Sequence, residues 1–325
     1  IAKSLSVSTL YFNRDYSPYT MNRDDSVIKS VENMGVGVKT YKDHVIFEPL
    51  EVIKKDGTPY RVFTPFSKAW LANLAQNPVY DTDYNCTIKK INNDTTSYYH
   101  SLSEIIKLAG FNPEQTTVKG GAKAAQLKLK EFRPYISRYN ELRDYPYINQ
   151  TSHLSVYIRH GCLSIREMVR FSLELNSEGA STWLNELIWR EFYQMVLFHF
   201  PHVVNEPFNS KYKEFKYPGS ELLLKKWKEG NTGVPIIDAA MRCLNQTGWM
   251  HNRLRMVTAS FLCKILLVDW KQGERYFAWK LLDYELASNN GGWQWASGTG
   301  CDAAPYYRIF NPYTQSKKFD SEGKF

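Results

Sequence analysis

The sequence predicts an α/β segment followed by a larger all-α domain, and three observations support this. Strand-like and helix-like signals alternate over the first 80 residues, a stretch rich in Asn, Asp, Thr and Ser follows from Gln76 to Ala122, and helical periodicity dominates beyond it. We therefore expect part of an α/β domain over residues 1–80. An interdomain linker should follow over 81–122, and an all-helical domain over 123–325. A chain of 325 residues is long enough to bury a large core and to form two domains.

Taken in order, Ser6–Phe12 is rich in β-formers, Asp25–Met34 is helical in pattern, and Gly37–Tyr41 and Val45–Phe47 read as short strands. Thr64 followed by Pro65 reads as an N-cap and first helical residue, opening a helix through Trp70 to Leu74. Inside the linker, Ser103–Ala109 is a short helical stretch stopped by Gly110. The second domain predicts helices over Lys123–Asn140, Ser164–Leu175, Ser181–Phe200, Ser220–Lys228, Val234–Asn245, Trp249–Trp270 and Glu274–Leu282. Gly161, Gly230, Gly248 and Gly273 serve as stops among them.

A net charge of +8 and a pI near 9.0 favour a polyanionic partner such as nucleic acid. No apolar run is long and charge-free enough to span a bilayer, and no secretory signal opens the sequence. We expect an intracellular protein without a membrane partner, cytoplasmic if bacterial, with nucleus and organelle left open. Cys86, Cys162, Cys243, Cys263 and Cys301 form no CxxC pair or metal-ligand spacing, and they read as buried, reduced thiols. No metal site is expected. Glycine-rich nucleotide loops, a zinc-protease motif and a nucleophile elbow are all lacking, which argues against hydrolytic chemistry.

Eight of the nine tryptophans lie between residues 183 and 295, mixed with charged and amide side chains. Such a cluster suits a planar ligand, a stacked base or electron traffic. On the helix WLNELIWREFYQMV, Glu186, Arg190 and Tyr193 share one face with Trp189 on its flank, while Leu184, Ile188 and Met195 face a core. Taken alone, Glu186 and Arg190 would be a surface i,i+4 pair; the neighbouring tryptophans favour a pocket wall. Asn252, Arg255, Met256 and Ala259 share a face of another helix, and Arg255 can neutralise Asp283 or Glu285. Thr151–Ser155 offers hydroxyls and backbone N–H groups ahead of a helix, as a phosphate cradle would.

The runs TSHLS, WLNELIWREFY, GVPIIDAAMRCLNQTGWMHNRLRMVTASFL, DYELASNNGGWQW and DAAPYYRIFNP, with RVFTPFSKAW earlier, closely resemble the DNA photolyase and cryptochrome family. The nearest likeness is to its class I cyclobutane pyrimidine dimer photolyases. This resemblance implies a light-driven carbon–carbon lyase, a deoxyribodipyrimidine photo-lyase, in which excited reduced FAD gives an electron to a flipped-out dimer in UV-damaged DNA. It implies that Tyr139, Thr151, Ser152, His153, Leu154, Ser155, Trp183 and Arg190 line the flavin's phosphate and adenine side. Arg255 would pair with Asp283 beside the ring system, with Tyr284 adjoining, Glu285 at the ribose and Asn289 facing N5. Glu186 would hydrogen-bond the lesion, Trp189 and Trp295 would sandwich its bases, and Asn252 and Met256 would close the pocket. Arg143, Arg253, Arg308 and Gln315 would contact the DNA backbone.

Two histidines stand in the (6-4) photolyases where Asn252 and Met256 stand here, which favours the cyclobutane dimer as substrate. The family's photoreduction residues fall on Trp293, Trp270 and, in place of a third tryptophan, Tyr217, so slower photoreduction is expected. Arginine often occupies the place of His153 in the family, and Val204-Asn205 replaces a Cys-Lys pair that accompanies folate antennas. A second chromophore therefore remains open in identity, with YSPYTMNRDD closer to deazaflavin binders. Family members also extend beyond both ends of this sequence, so the resemblance implies that residues 1–80 are an incomplete, doubly wound α/β domain of the antenna type, with an unfinished sheet and an unstable isolated chain, active as a monomer when complete. The alternatives are a cryptochrome-like blue-light receptor that binds FAD without repair, and a non-catalytic nucleic-acid-binding protein.

Overall fold

In the computed structural model, residues 2–79, 101–110, 118–303 and 308–325 are described. Strands β1 (Thr9–Asn13) and β2 (Gly37–Tyr41) pair in parallel, Thr9 opposite Gly37, and helix α1 (Pro18–Glu32) crosses between them. Among the described residues these two strands are the whole sheet. The helix begins earlier than the apolar pattern suggests, because Ser17 caps it by accepting the Thr20 N–H (3.2 Å) and Pro18 takes the first position.

Val45–Phe47 is not a strand. It is irregular buried chain whose N–H groups go to a side chain instead of a neighbouring strand: Ile46 and Phe47 donate to the two carboxylate oxygens of Glu191 (2.7 and 2.8 Å). Helix α2 (Phe63–Gln76) starts one residue before the expected Thr64 cap, and Asp302 accepts the Phe63 N–H at 2.9 Å. Most of the expected linker lies outside the described residues, as does Cys86. Within it α3 (Leu102–Leu108) forms behind a capping box of Ser101 and Glu104.

The expected helix over Lys123–Asn140 is divided. Helix α4 (Ala122–Phe132) ends ahead of Pro134, whose ring cannot continue it, and α5 (Tyr139–Leu142) resumes after a short 3-10 turn. A five-residue helix follows, α6 (Ser155–Arg159), and then α7 (Ile165–Glu174) and α8 (Glu178–His199), each capped by a serine. Helices α9 (Glu221–Glu229) and α10 (Pro235–Thr247) end on left-handed Gly230 and Gly248, as the sequence indicates.

The expected helix Trp249–Trp270 is shorter, α11 (Asn252–Lys264), capped by His251. The chain breaks over 265–269, with Leu267 at φ 52°, and restarts behind the Asp269 cap as α12 (Trp270–Lys280). Helices α13 (Leu286–Ser297) and α14 (Pro312–Phe319) lack the apolar periodicity that would reveal them. Among the cysteines, Cys263 and Cys301 are buried but Cys162 and Cys243 are only half-buried, and all four are free thiols.

Helix α8 is the centre of the molecule. It packs on α2, α5, α7 and α13, while α13 packs on α11 and α12. One apolar core joins Phe47, Phe66 and Trp70 of the N-terminal segment to Phe132, Met168, Ile188 and Phe192. A second lies among α9–α13 and contains Trp227, Trp270, Phe277 and Trp293. At Gly291 an added Cβ would overlap the Tyr193 ring, so the α8–α13 approach requires glycine there.

Glu191, only 3% exposed, fastens the N-terminal segment to α8: besides the two N–H groups above it accepts the Trp70 indole N–H at 2.6 Å. Glu191→Gln would turn an amide NH2 toward these donors and leave at least one buried N–H unpaired. We expect a loss of about 2–4 kcal/mol, read as a lower midpoint in urea unfolding with an unchanged slope.

Candidate functional site

The α8 face carrying Glu186, Trp189, Arg190 and Tyr193 forms one wall of a cavity of about 500 Å³. Asn252, Arg255, Met256 and Ala259 of α11 form a second wall, as their spacing predicts. Asp283, Tyr284, Glu285, Asn289, Trp293 and Trp295 come from the turn before α13 and from α13 itself. Thr151, Ser152, His153, Leu154 and Ser155 close one side, with Tyr139, Arg143 and Trp183 beside them. The loop's course is set by left-handed Asn149 and His153 (φ 46° and 52°).

The charged groups in this cavity are paired. Arg255 donates to Asp283 Oδ2 (2.8 Å) and to the Met250 carbonyl (2.8 Å). Arg190 donates to the His44 carbonyl (2.8 Å) and approaches both His44 ring nitrogens within 3.1 Å. Burial, with the Arg190 charge beside it, pushes His44 down to about 4, so its ring is neutral and can accept. Glu285 caps α13 by accepting the Ala287 and Ser288 N–H groups, and it also accepts from Gln194 (2.6 Å). Arg159 donates to the Tyr284 carbonyl at 2.6 Å.

Asn289 places both amide N–H groups on Glu274, at the backbone oxygen (3.1 Å) and the carboxylate (2.9 Å). That use of the nitrogen leaves Oδ1 as the accepting end of the amide. Elsewhere on the cavity wall Glu186 accepts from Arg143 Nη1 at 2.6 Å. Burial pushes the Glu186 carboxyl above the usual carboxylate range while the Arg143 charge pulls it back. One face of Trp189 is covered by Phe63 (ring centroids 3.7 Å, interplanar angle 5°), and Trp295 leans on Phe310 at 6.0 Å.

Four of the expected residues lie off the cavity wall. Trp270 and Tyr217 belong to the second apolar core, with Trp293 joining that core to the cavity. Gln315 reaches the site through Arg253 (3.2 Å), which is also paired with Asp144 (2.6 Å) and stacked over Phe319. Arg308 is exposed, and its carbonyl accepts from Lys264 (2.9 Å). Sequence reasoning missed His44, Asp144, Arg159, Gln194 and Glu274. His44 and Glu274 lie on segments whose proximity to the cavity only the fold creates, while Asp144 and Gln194 lie beside the expected Arg143 and Arg190.

The cavity fits the FAD that the sequence leads us to expect. Its volume lies in the range of cofactor sites. Four polar atoms of its lining residues are buried without a hydrogen-bond partner among the described residues: Thr151 Oγ1, His153 Nε2, Arg253 Nε and Asp283 Oδ1. A ligand offering hydroxyls, phosphates and ring N–H groups would satisfy them.

His251, 2% exposed, caps α11 by accepting the Arg253 N–H through Nδ1 (3.2 Å). Burial, then the Arg253 charge, lowers it to about 4. The unfolded chain therefore binds a proton here below pH ~6.5 that the folded chain refuses until about 4, so this contribution to stability is present above pH ~6.5 and lost on acidification. His251→Asn keeps a capping side chain without a titrating ring. Between pH 6.5 and 4 the variant should lose less stability than the parent, by at most ~1.4 kcal/mol per pH unit, in denaturation midpoints compared at each pH.

Residues 183–325 match the family model described as the FAD binding domain of DNA photolyase, and residues 1–82 match the one described as DNA photolyase. The chain is 41% identical over 327 residues to the deoxyribodipyrimidine photo-lyase of Escherichia coli strain K12, covering 98% of this chain and 68% of that protein. It is similar to the crystal structure of a bacterial class III photolyase from Agrobacterium tumefaciens, with a TM-score of 0.86 and 34% identity over 99% of this chain and 68% of that one. A cryptochrome from Synechocystis sp. matches with a TM-score of 0.78 and 25% identity, over 99% and 68% of the two chains. On these matches and on its cavity, the chain belongs to the DNA photolyase family.

Proposed function

We propose that this chain binds FAD in the α8–α11–α13 cavity and repairs cyclobutane pyrimidine dimers in UV-damaged DNA under light. The observation that carries the reading is one cavity lined by two chemically distinct groups of side chains. One group is Asp283 paired with Arg255, Glu285 and the Thr151–Ser155 loop. The other is Glu186, Trp189, Asn252, Met256 and Trp295. Bound and reduced, the flavin supplies a light-driven one-electron donation that side chains cannot make.

The residues of the chain position and stabilise. Arg255 and Asp283 fix each other and leave Asp283 Oδ1 free to accept from the cofactor. Glu274 turns the Asn289 oxygen outward as a hydrogen-bond acceptor, which favours a protonated, reduced ring edge. Glu186, with its proton affinity raised by burial, donates to a lesion carbonyl that gains negative charge. The open face of Trp189, with Trp295, stacks the bases. Arg143 neutralises Glu186 until a lesion enters, and then turns toward the flanking phosphates with Arg253, Arg308 and Gln315.

We read residues 1–80 as an α/β domain of the antenna type, 81–122 as a linker and 123–325 as the FAD and DNA domain, acting as a monomer because one chain supplies all the walls of the cavity. No helix among the described residues is long and apolar enough to cross a membrane. A cryptochrome-like receptor would share the FAD-binding group but has no need of the pocket formed by Glu186, Trp189 and Met256.

Repair of a single-stranded oligonucleotide carrying one cyclobutane thymine dimer, with reduced FAD, tests the reading. Product should form in blue light and not in darkness. Glu186→Ala should bind the lesion about tenfold more weakly and repair more slowly, with FAD content unchanged, for the loss of one charge-assisted hydrogen bond of ~1.5 kcal/mol. FAD binding without light-dependent repair would favour the receptor.

A further inference from the structure

We infer that Phe63, on the N-terminal segment, is a positioning residue for lesion binding: it lies flat behind Trp189 and fixes the plane of the indole. The inference rests on the reading that Trp189 stacks a base of the lesion. Phe63 stands off the cavity wall to which Trp189 belongs. Its ring covers the hidden face of the indole, with centroids 3.7 Å apart and planes within 5°.

Hydrophobic burial does not explain this geometry, because it has no direction and would be met at any ring angle. Ring quadrupoles do not explain it either, since they favour offset or edge-on pairs with centroids roughly 4.5–7 Å apart. The neighbouring rings follow that preference. Phe192 meets Trp189 edge-on at 5.6 Å (84°) and Phe63 at 5.8 Å (80°), and Tyr193 lies tilted beside the indole at 5.5 Å. Among these rings Phe63 alone lies face to face with Trp189.

The overlap is imposed by the backbone that carries Phe63. This residue opens α2, and Val62 before it supplies no side-chain cap. The cap comes from Asp302, in the turn after α13, whose carboxylate accepts the Phe63 N–H at 2.9 Å. Cys301 donates to the Arg61 carbonyl (3.1 Å), so the chain entering α2 is tied to the same turn. Further along α2, Ser67 donates to Asn185 (3.3 Å) and Trp70 to Glu191 (2.6 Å), both on α8. The ring is thus held between the turn after α13 and the helix that carries Trp189.

An aromatic side chain that stacks a base must stop moving, and the freedom it loses counts against binding. With Phe63 behind it, Trp189 has one open face and little room to tilt, so most of that cost falls on folding instead. The two rings form a platform two layers deep against which a base closes. Undamaged DNA, held by its backbone, gains nothing from this platform. Phe63 therefore acts on the preference for the lesion and not on DNA affinity in general.

The test measures, in darkness, the affinity of the FAD-loaded protein for an oligonucleotide carrying one cyclobutane thymine dimer and for the same strand undamaged. Phe63→Leu keeps apolar volume and removes the flat face. It should weaken dimer binding about fivefold, part of the worth of one stacked base, with undamaged binding and FAD content as in the parent. Phe63→Tyr, which keeps the ring face, should restore the preference. In repair, Phe63→Leu should raise KM with little change in kcat. In a Trp189→Ala background Phe63→Leu should cost nothing further, a non-additivity that a merely structural role would not give. Asp302→Ala removes the cap and should lower the preference in the same direction, while Asp302→Asn keeps an accepting oxygen and should lower it less. That pair decides the question if Phe63→Leu does not fold. The inference is overturned if Phe63→Leu, or Asp302→Ala in its stead, keeps the parent's preference for the dimer, or if the Phe63→Leu loss persists in the Trp189→Ala background. A parent that binds both strands equally would instead overturn the lesion reading beneath it.

Discussion

The buried carboxylate of Glu191 is the interaction on which the rest of the structure depends. It lies in the middle of α8, on the side away from the cavity, and binds three N–H groups from the N-terminal segment within 2.8 Å. Desolvation pushes its carboxyl up to about 7, against those three donors, which favour the charged form. That cost brings His44 into place: Ile46 and Phe47 are anchored two and three residues after it, and His44 then meets Arg190 and Gln194 one turn or less along α8. Without the anchor, Arg190 would be a buried cation facing an empty wall. The same helix thus carries an ion pair toward the cavity, a carboxylate toward the N-terminal segment and an apolar stripe into the core.

Sequence patterns revealed those parts of the fold and site that rest on local spacing. The Glu186–Arg190–Tyr193 face, the Asn252–Met256 face and the Arg255–Asp283 pair follow from helical periodicity and charge, and the cavity unites them. What periodicity could not show were elements whose stability comes from elsewhere. Helix α13 contains Asn289-Asn290-Gly291-Gly292, poor helix formers that are held because Glu285 caps them and Tyr193 packs on Gly291. Val45–Phe47 has strand composition, yet a glutamate nearly 150 residues away takes its N–H groups. Pro134 was visible in the sequence as a helix breaker, but the apolar pattern on both sides of it masked the break.

The net charge of +8 gives little idea of how the basic groups near the cavity are used. Arg143, Arg253 and Arg255 are each paired with a carboxylate, so the cavity mouth is not a bare cationic patch. Paired arginines hold defined geometries and gain less from a phosphate than free ones, because a partner must be exchanged. That arrangement suits a protein that must pass over intact DNA and stop at a distorted site. In the repair reaction we propose, undamaged backbone would offer Arg143 no reason to leave Glu186, whereas a lesion carbonyl engaging Glu186 would release it.

The partnerless atoms Thr151 Oγ1, His153 Nε2 and Asp283 Oδ1 bear on the same economy from the cofactor side. Each buried polar atom without a partner costs roughly 1–3 kcal/mol, and a chain has only about 5–15 kcal/mol of net stability in all. A site that carries several of them at rest is therefore built for a resident group and not for a passing one. Filling it returns that energy to the fold, with Leu154 buried between His153 and Ser155 to hold the loop against the core. Cofactor retention and stability of the α8–α11–α13 assembly are then one property. A change that loosens the Thr151–Ser155 loop weakens both, even where it touches no reacting atom.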